Sequence, residues 1–555
     1  MVRAGFLYVC LLLASGCSRV TGGGEDVQAP SVKTPAGWIT GSWMTSRRGR
    51  AIQAYRGIRY AEPPTGDLRF RPPVLIRQYA EAVDATADGP ACPQPDIRVE
   101  QREDCLRLNV YTAANNGSKG RPVVVYVHPG GFYSVTGRSE FAGPHYLLDH
   151  DLVLVTINYR LGSLGFLSMG NELAPGNNGF KDQVAALRWV RRNIASFGGD
   201  PELVTIAGYS AGAISVALHM VSPMSRGLFH RAVSMSGSPY CQVKIPQHQR
   251  HLAEKQARLL DCPTDPPAQL LHCLRTVPWQ KFGDSLNGFR DYSIDPILIW
   301  LPVVEQDFGQ ERFLEQHPLD VIKMGKLYSV PYIVSQTRDE FFWEAFLVLN
   351  NSTYFNRLTS NWVEAAPIPF LLPEPSEHAA NKLKKVYFND KPLLNNSETA
   401  RALGMLYGDS VIGFGAHRLA NLMSQNSAEP VFYYEFDYIG NNSHYRDPVS
   451  HKPVGVAHHD ELIYLFSLSI AFPDIGVSSS PDSVMVDKLT SIMYNFALTG
   501  DPNPVRDAGV QRWPAMTPQT RSYLRLARQS SVQTNLFEDR FRVWEDLYPI
   551  DYKLV

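Results

Sequence analysis

The stretch Leu203-Val-Thr-Ile-Ala-Gly-Tyr-Ser-Ala-Gly212 decides the fold of this chain. It opens with an apolar run of strand length, and the residues from Ala211 to Met220 then follow a helix-compatible pattern. Between them, the Gly208-x-Ser210-x-Gly212 sequence sets a serine on a sharp turn from strand to helix, in which a Cβ at either glycine would clash. The alternative is a plain serine N-cap. We predict that Ser210 is a nucleophile at the carboxyl end of a strand.

A second glycine-rich segment, His128-Pro-Gly-Gly-Phe132, directly follows the apolar run Val123–Val127. Acyl transfer places negative charge on a former carbonyl oxygen, and backbone N–H groups aimed at that oxygen supply a large share of catalysis. The N–H groups of Gly130, Gly131 and Ala211 are the candidate donors. An ordinary Gly-Gly turn is the alternative. With the serine turn downstream, we predict that these three groups form an oxyanion hole.

Other apolar runs alternate with helical patterns along the chain. The predicted strands are Pro122–Val127, Leu152–Ile157, Leu203–Ala207, Val330–Ser335 and Pro430–Phe436, and a helical period runs over Asp182–Phe197. Fully apolar strands separated by helices indicate a largely parallel sheet that is covered on both faces. We therefore predict a single large α/β domain over residues 25–550.

Composition excludes several classes of function. The chain has 555 residues, and 53 Lys and Arg against 54 Asp and Glu give a net charge of −1 with His neutral. A nucleic-acid binder needs a basic surface to neutralise phosphates, and a polybasic membrane-surface protein needs a similar excess. Hydrophobic residues make up 44% of the chain, which is typical of a globular protein. We expect no nucleic-acid partner and no membrane span.

The first residues have the features of a targeting segment. Arg3 precedes an apolar run over residues 5–14, which is too short to span a bilayer and is followed by small residues. We predict a secretory signal peptide over residues 1–17, cleaved near Cys17, and hence an extracellular protein. A bacterial lipoprotein signal ending at Cys17 and a buried N-terminal element are the alternatives.

Cysteines and glycosylation sequons agree with secretion. Cys92 and Cys105 are close in sequence, as are Cys262 and Cys273, which suits two local disulfides in an oxidising compartment. Cys241 is then left over as a candidate buried thiol. Sequons for N-glycosylation occur at Asn116, Asn350, Asn351, Asn395 and Asn441.

Ordered matches over nearly the whole mature chain resemble the type-B carboxylesterase and cholinesterase family of α/β-hydrolases. Besides the serine turn, the matching stretches include Tyr55-Arg-Gly-Ile-Arg-Tyr-Ala-Glu-Pro-Pro64, Glu103-Asp-Cys-Leu-Arg-Leu-Asn-Val110, Asn158-Tyr-Arg-Leu-Gly-Ser-Leu-Gly-Phe166, Phe197-Gly-Gly-Asp-Pro201 and Gly455-Val-Ala-His458. The resemblance implies an α/β-hydrolase fold with a central sheet of about eleven strands, a small N-terminal sheet, and ester hydrolysis by a Ser-Glu-His triad. It also implies that Cys92–Cys105 and Cys262–Cys273 are the family's first two disulfides.

The chain order Ser, acid, His of these hydrolases selects the other two triad members. His458 aligns with the family's base, and the neighbouring His459, where many relatives have glycine, is the alternative. Glu340 fits the family's acidic position better than Asp339, although Phe341 replaces the usual following glycine. A metal site at residues 458–461 is disfavoured because adjacent residues do not converge on one ion.

Departures from the family bear on the substrate. Tyr209 stands where cholinesterases carry Glu, and the loop from Cys92 to Cys105 lacks the Trp whose π-face binds a quaternary ammonium. Both features argue against choline esters. We predict a secreted carboxylesterase for uncharged esters that needs no cofactor or metal. A dedicated hormone or pheromone esterase is a narrower option, and a catalytically silent adhesion or binding protein is the alternative. Monomer and homodimer stay open.

Aromatic residues near the predicted site have two interpretations. Phe132, Phe341, Phe342 and Trp343 are candidates to line an acyl or alcohol pocket, and packing in the core is the equally good alternative.

Overall fold

The computed structural model describes residues 28–95, 97–114, 120–447, 449–504 and 512–550. The predicted signal peptide and the sequon at Asn116 lie outside these residues. The strands are β1 (Ser31–Thr34), β2 (Gly37–Thr40), β3 (Ser42–Thr45), β4 (Ala51–Arg59), β5 (Val83–Asp84), β6 (Arg107–Ala113), β7 (Arg121–Val127), β8 (Val153–Ile157), β9 (Gly199–Tyr209), β10 (Arg231–Met235), β11 (Tyr332–Thr337), β12 (Val431–Phe436), β13 (Ser522–Leu526) and β14 (Ser531–Thr534).

The helices vary widely in length, and several short ones lie in the long connections after β10 and β11. The α-helices are α1 (Gly162–Phe166), α2 (Asn178–Asn193), α3 (Ala211–His219), α4 (Arg250–Leu259), α5 (Pro267–Thr276), α6 (Gln280–Asp284), α7 (Pro318–Lys323), α8 (Glu344–Leu349), α9 (Ser352–Ser360), α10 (Trp362–Ala365), α11 (Glu377–Phe388), α12 (Ser397–Gly408), α13 (Phe414–Asn426), α14 (Leu462–Leu465), α15 (Pro481–Thr499) and α16 (Glu538–Leu547). None of these described helices is long and apolar enough to cross a membrane.

A large sheet organises the described part of the chain. Its eleven strands run in the order β14-β13-β12-β11-β10-β9-β7-β8-β6-β4-β3. The pairings from β13 to β8 are parallel, and those at the two edges are antiparallel. A separate three-stranded sheet joins β1, β2 and β5. The predicted mostly parallel sheet and the small N-terminal sheet are both confirmed.

Successive residues of the central strands point to opposite faces, and both faces are buried. On β7, Val123 and Val125 belong to one apolar cluster, whereas Val124 and Tyr126 belong to another. Helix α2 packs in the first cluster, and helix α15 packs in the second. This is why the central strands are apolar throughout rather than alternating.

The predicted elements are present with shifted ends. Helix α2 begins at Asn178, four residues before the predicted start, and a 3-10 turn over Ile194–Phe197 replaces its last turn. Glycine in this first turn argues against a helix, but here Gly179 is needed because a Cβ would lie 2.4 Å from the Phe166 ring. Tertiary packing therefore decides where α2 begins.

The cysteines pair as the resemblance implies. Disulfides join Cys92 to Cys105 and Cys262 to Cys273. Cys241 carries a free, partly buried thiol, and burial raises the pKa of that thiol.

Candidate active site

Ser210 lies on the tight turn between β9 and α3. Its backbone has φ 55° and ψ −117°, and its N–H donates to the carbonyl of Met235 at 2.8 Å. A Cβ on Gly208 would lie 2.3 Å from the backbone of Gly212, and a Cβ on Gly212 would lie 2.1 Å from the carbonyl oxygen of Val127. The expected steric need for both glycines is confirmed. The turn leaves Ser210 partly exposed at the carboxyl end of the sheet.

The loop after β7 runs beside this turn. Gly130 has a φ of 110°, and a Cβ there would lie 2.0 Å from the carbonyl oxygen of Ser134. Gly131 also has a positive φ, of 58°. Among the described residues, no acceptor takes a hydrogen bond from the N–H of Gly130, Gly131 or Ala211. Three unpaired N–H groups are therefore available to an anionic oxygen at this place.

His458 and Glu340 form a buried pair. Nδ1 of His458 lies 2.5 Å from Oε2 of Glu340, and both side chains are almost fully buried. The other carboxylate oxygen of Glu340 accepts a hydrogen bond from the N–H of Thr337 at 2.7 Å, so the carboxylate is held at both ends. Nε2 of His458 is buried and has no partner among the described residues. This arrangement fixes the imidazole and leaves Nε2 for another group.

The two alternative residues are held differently from the pair, although Nε2 of the His459 ring is also buried without a partner among the described residues. The N–H of His459 donates to the hydroxyl of Tyr209 at 2.8 Å, and burial lowers the pKa of the His459 ring well below its usual value. Asp339 accepts from the N–H of Val456 and from Arg338, both at 2.9 Å. Neither residue joins the His458–Glu340 pair.

The described residues also contain no group of three His, Cys, Asp or Glu side chains placed to hold a metal ion.

Phe341 and His459 stand where relatives carry glycine, and both have the positive φ that glycine adopts easily. Phe341 has a φ of 48°, and His459 has a φ of 79°. The left-handed region is unfavourable for residues with a Cβ, so packing must hold these positions. The centre of the Phe341 ring lies 4.4 Å from that of the His458 ring, and the centre of the His459 ring lies 4.2 Å from it. Two bulky side chains thus pack against the imidazole.

Sequence reasoning assigned no role to Glu461, which lies beside the pair. Its carboxyl group is fully buried and accepts hydrogen bonds from Tyr434 at 2.6 Å and from Ser335 at 3.2 Å. Burial, and in a smaller part the charge of Glu340, raises the pKa of Glu461 to about 8. Burial thus favours the neutral form of Glu461, which then adds no negative charge beside the His458–Glu340 pair. Its position three residues after His458 was the available signal in the sequence.

The predicted pocket-lining aromatic residues lie in different surroundings. Phe132 is fully buried and packs against Phe166 and Phe180, so it belongs to the core. Phe342 lines a cavity of about 690 Å³ behind Glu340, and neither Ser210 nor His458 lines that cavity. The space in which an ester would meet Ser210 is therefore a different one.

Comparison with known proteins agrees with the fold. The family model described as "Carboxylesterase family" matches residues 28–544. The chain belongs to the carboxylesterase family. It is accordingly a carboxylic ester hydrolase that acts on small-molecule esters.

Several insect relatives match this carboxylesterase over most of its length. It is 36% identical to a juvenile hormone esterase of Tribolium castaneum, over 86% of this chain and 84% of the relative. It is 35% identical to esterase FE4 of Myzus persicae, over 92% and 91% of the two chains. A crystal structure of juvenile hormone esterase from Manduca sexta, with OTFP covalently attached, aligns with a TM-score of 0.82. The two are 25% identical, and the alignment covers 94% of this chain and all of that one. The α/β-hydrolase fold is thereby confirmed.

Proposed function

We propose that this carboxylesterase is secreted and hydrolyses uncharged carboxylic esters through Ser210, Glu340 and His458, by way of an acyl-enzyme. The observation that carries the proposal is the 2.5 Å contact between His458 Nδ1 and Glu340, with Nε2 left unpartnered. Glu340 stabilises the imidazolium and fixes the tautomer in which Nε2 accepts a proton.

Acylation uses these groups in sequence. Ser210 Oγ attacks the ester carbonyl carbon while its proton passes to His458 Nε2. The carbonyl oxygen becomes an anion, to which the N–H groups of Gly130, Gly131 and Ala211 donate. The carbon–oxygen bond to the alcohol then breaks, and the alcohol leaves with the proton from Nε2.

Deacylation repeats the proton transfer with water. His458 Nε2 takes a proton from water, and the resulting hydroxide adds to the acyl carbon. The bond to Ser210 then breaks, Oγ recovers the proton, and the carboxylic acid is released. The nucleophile and the base are thus regenerated without any metal or organic cofactor.

Two further observations support an extracellular enzyme for uncharged esters. Asn350, Asn351, Asn395 and Asn441 are exposed, so these sequons are accessible for glycosylation. Tyr209, in place of the Glu of cholinesterases, removes a negative charge beside the nucleophile. A narrower candidate, hydrolysis of a lipophilic hormone ester, is favoured because both the Tribolium relative and the Manduca structure are named juvenile hormone esterase.

A fluorophosphonate probe tests the triad directly. The secreted protein is incubated with the probe, digested and mapped by mass spectrometry. We expect labelling at Ser210 that is lost in Ser210→Ala and His458→Ala. His459→Gly is the matched control, because it removes the adjacent ring at a position with a positive φ and should stay reactive.

The outcomes separate the alternatives. Labelling that needs His459 rather than His458 would move the base to the neighbouring residue. The absence of labelling in a folded sample would favour the silent binding protein. Collection of the protein from culture medium, with a mass that falls on deglycosylation, checks secretion.

A further inference from the structure

Two carboxyl groups near the proposed site are buried without partners. Asp295 lies in the segment between α6 and α7, and Glu344 is the first residue of α8. Their side chains are 2% and 1% exposed. Oδ2 of Asp295 and both carboxyl oxygens of Glu344 are fully buried and have no hydrogen-bond partner among the described residues. Buried polar groups are nearly always hydrogen-bonded, so these oxygens need an explanation.

The neighbouring side chains do not supply the missing hydrogen bonds of this pair. The two carboxyls interact with each other electrostatically, and burial is the largest cause of the raised pKa of each. The side chains of Trp343 and Tyr407 lie close to them without completing hydrogen bonds. Tyr407 is fully buried, and its hydroxyl also lacks a partner. The Tyr407 hydroxyl therefore also lacks a hydrogen-bond partner beside the two carboxyls.

Chain connections set this pair beside the proposed reaction centre. Glu344 follows the proposed triad acid Glu340 by four residues, at the end of the turn that leads into α8. A Cβ on Gly131 of the proposed oxyanion loop would lie 3.1 Å from the carbonyl oxygen of Ile297, two residues after Asp295. Tyr133 of the same loop interacts electrostatically with both carboxyls. The pair thus lies between the oxyanion loop and the turn that carries Glu340.

We propose that Asp295 and Glu344, together with the Tyr407 hydroxyl, bind a hydroxyl group of the ester substrate. The inference rests on the proposed function, which it narrows from uncharged esters to hydroxylated ones. No step of the hydrolysis passes through these residues, so they determine specificity rather than catalyse.

The protonation of the pair suits a hydroxyl. Burial raises the pKa of Glu344 to about 7, and burial together with Glu344 raises the pKa of Asp295 well above its usual value. Burial therefore favours the neutral form of both carboxyls, and a neutral carboxyl offers both a donor and an acceptor. A hydroxyl can accept and donate at once, whereas an ammonium group can only donate.

A matched series of esters tests the proposal. All members share one acyl chain and one chromogenic leaving group, and they differ in carrying a methyl, a hydroxyl or an ammonium group at each position along the chain. We expect at least one hydroxylated ester to exceed its methyl counterpart in kcat/KM by roughly ten- to a hundredfold, since each satisfied buried carboxyl oxygen favours the donor. Asp295→Asn, Glu344→Gln and Glu344→Leu are measured beside the wild type.

The variants should change the selectivity between the hydroxylated ester and its methyl counterpart. In Glu344→Leu we expect the ratio of the two kcat/KM values to fall to about one. Glu435→Gln is the control, because Glu435 is another buried carboxyl with a raised pKa, on β12, and should leave the preference intact. Calorimetric binding of the same esters to Ser210→Ala measures the preference without turnover.

Each outcome decides the question. No preference at any position, in turnover or in binding, would show that internal water satisfies the pair and would overturn the proposal. A preference for the ammonium ester would overturn the hydroxyl assignment. If no ester is turned over but Ser210→Ala still binds the hydroxylated ester more tightly, the proposed hydrolysis fails while the binding site stands.

Discussion

The ring of Phe341 lies 4.4 Å from the imidazole of His458, and the backbone that carries it there has a positive φ of 48°. A residue with a Cβ in this region is less stable than glycine by about 1–2 kcal/mol. Phe341 is buried and also packs on Trp343, with 5.0 Å between the rings. Burial of the ring thus offsets the backbone strain and shields His458 from water.

Two substitutions of Phe341 should distinguish the energetic cost of its backbone strain from the stabilisation by its ring. Phe341→Gly and Phe341→Ala both lose the ring, and we expect each to lower the free energy of unfolding by about 3 kcal/mol. Because only alanine keeps the strain, Phe341→Ala should be the less stable of the two by about 1 kcal/mol. Urea denaturation measures both differences.

The same pair of changes at Phe180 provides the control. Phe180 is buried in helix α2, where glycine is less stable than alanine by about 0.5–1 kcal/mol. The order of the two variants should therefore reverse there. If Phe341→Gly and Phe341→Ala were equally stable, the positive φ would carry no strain.

Tyr209→Phe should weaken both the fold and the reaction. The change removes the acceptor of the His459 N–H and leaves a buried donor unpaired, which costs about 1–3 kcal/mol. Since His459 is bonded to His458 in the chain, we also expect a lower kcat with little change in KM. Denaturation and steady-state kinetics measure the two effects.

Tyr60→Phe is the matched control for that loss. The Tyr60 hydroxyl donates to the carbonyl of Asn158 at 2.7 Å in the core. Its removal should lower stability without changing kcat. An equal fall in kcat for both variants would show that the Tyr209 contact stabilises the fold and does nothing specific for His458.

The parts of the molecule that depend on local sequence were predictable. The strand, turn and helix around Ser210 are encoded in neighbouring residues, because apolar runs and two glycines at a sharp turn leave few alternatives. The central strands and the two disulfides were predicted for similar reasons. The resemblance supplied His458 and Glu340, since composition alone could not choose among 15 histidines.

Contacts between distant segments were not predictable in the same way. Tyr209 and His459 are 250 residues apart, and nothing local in either sequence indicates their hydrogen bond. The positive φ of Phe341 has no signal in the residue itself, and only the glycine usual in the family at this position indicates it. Asp295 and Glu344 are polar residues whose burial depends on the tertiary packing of separate helices and loops.

Gly130→Ala should impair the reaction more than the fold. The new Cβ would lie 2.0 Å from the carbonyl oxygen of Ser134, so the loop must move and its N–H groups lose their common direction. Loss of one oxyanion donor lowers kcat by about 10²–10³-fold, and we expect a fall of that size. Kinetics on a simple chromogenic ester measures it.

Gly66→Ala is the control for positive φ alone. Gly66 has a φ of 56°, and a Cβ there would meet nothing within 4 Å. It should lose stability through strain and keep its kcat. A similar kcat for Gly130→Ala and the wild type would mean that the N–H groups of this loop do not stabilise the oxyanion.

Glu461→Gln should change how stability depends on pH. Burial raises the pKa of Glu461 from about 4.5 in the unfolded chain to about 8 in the folded protein. Between these values the folded protein binds a proton that the unfolded chain releases. This group therefore makes the free energy of unfolding fall as pH rises through that window, by at most about 1.4 kcal/mol per pH unit.

Glutamine keeps the shape of the side chain but cannot ionise, so its variant should lack this slope. We expect the variant to gain stability relative to the wild type as pH rises from about 5 to about 8, and the difference to be constant below about 4.5. Urea denaturation across the range measures it. Parallel curves would show that Glu461 has the same pKa in the folded and unfolded protein, and the opposite sign would show that folding lowers its pKa. In either case Glu461 would be ionised at neutral pH and would add a negative charge beside the His458–Glu340 pair.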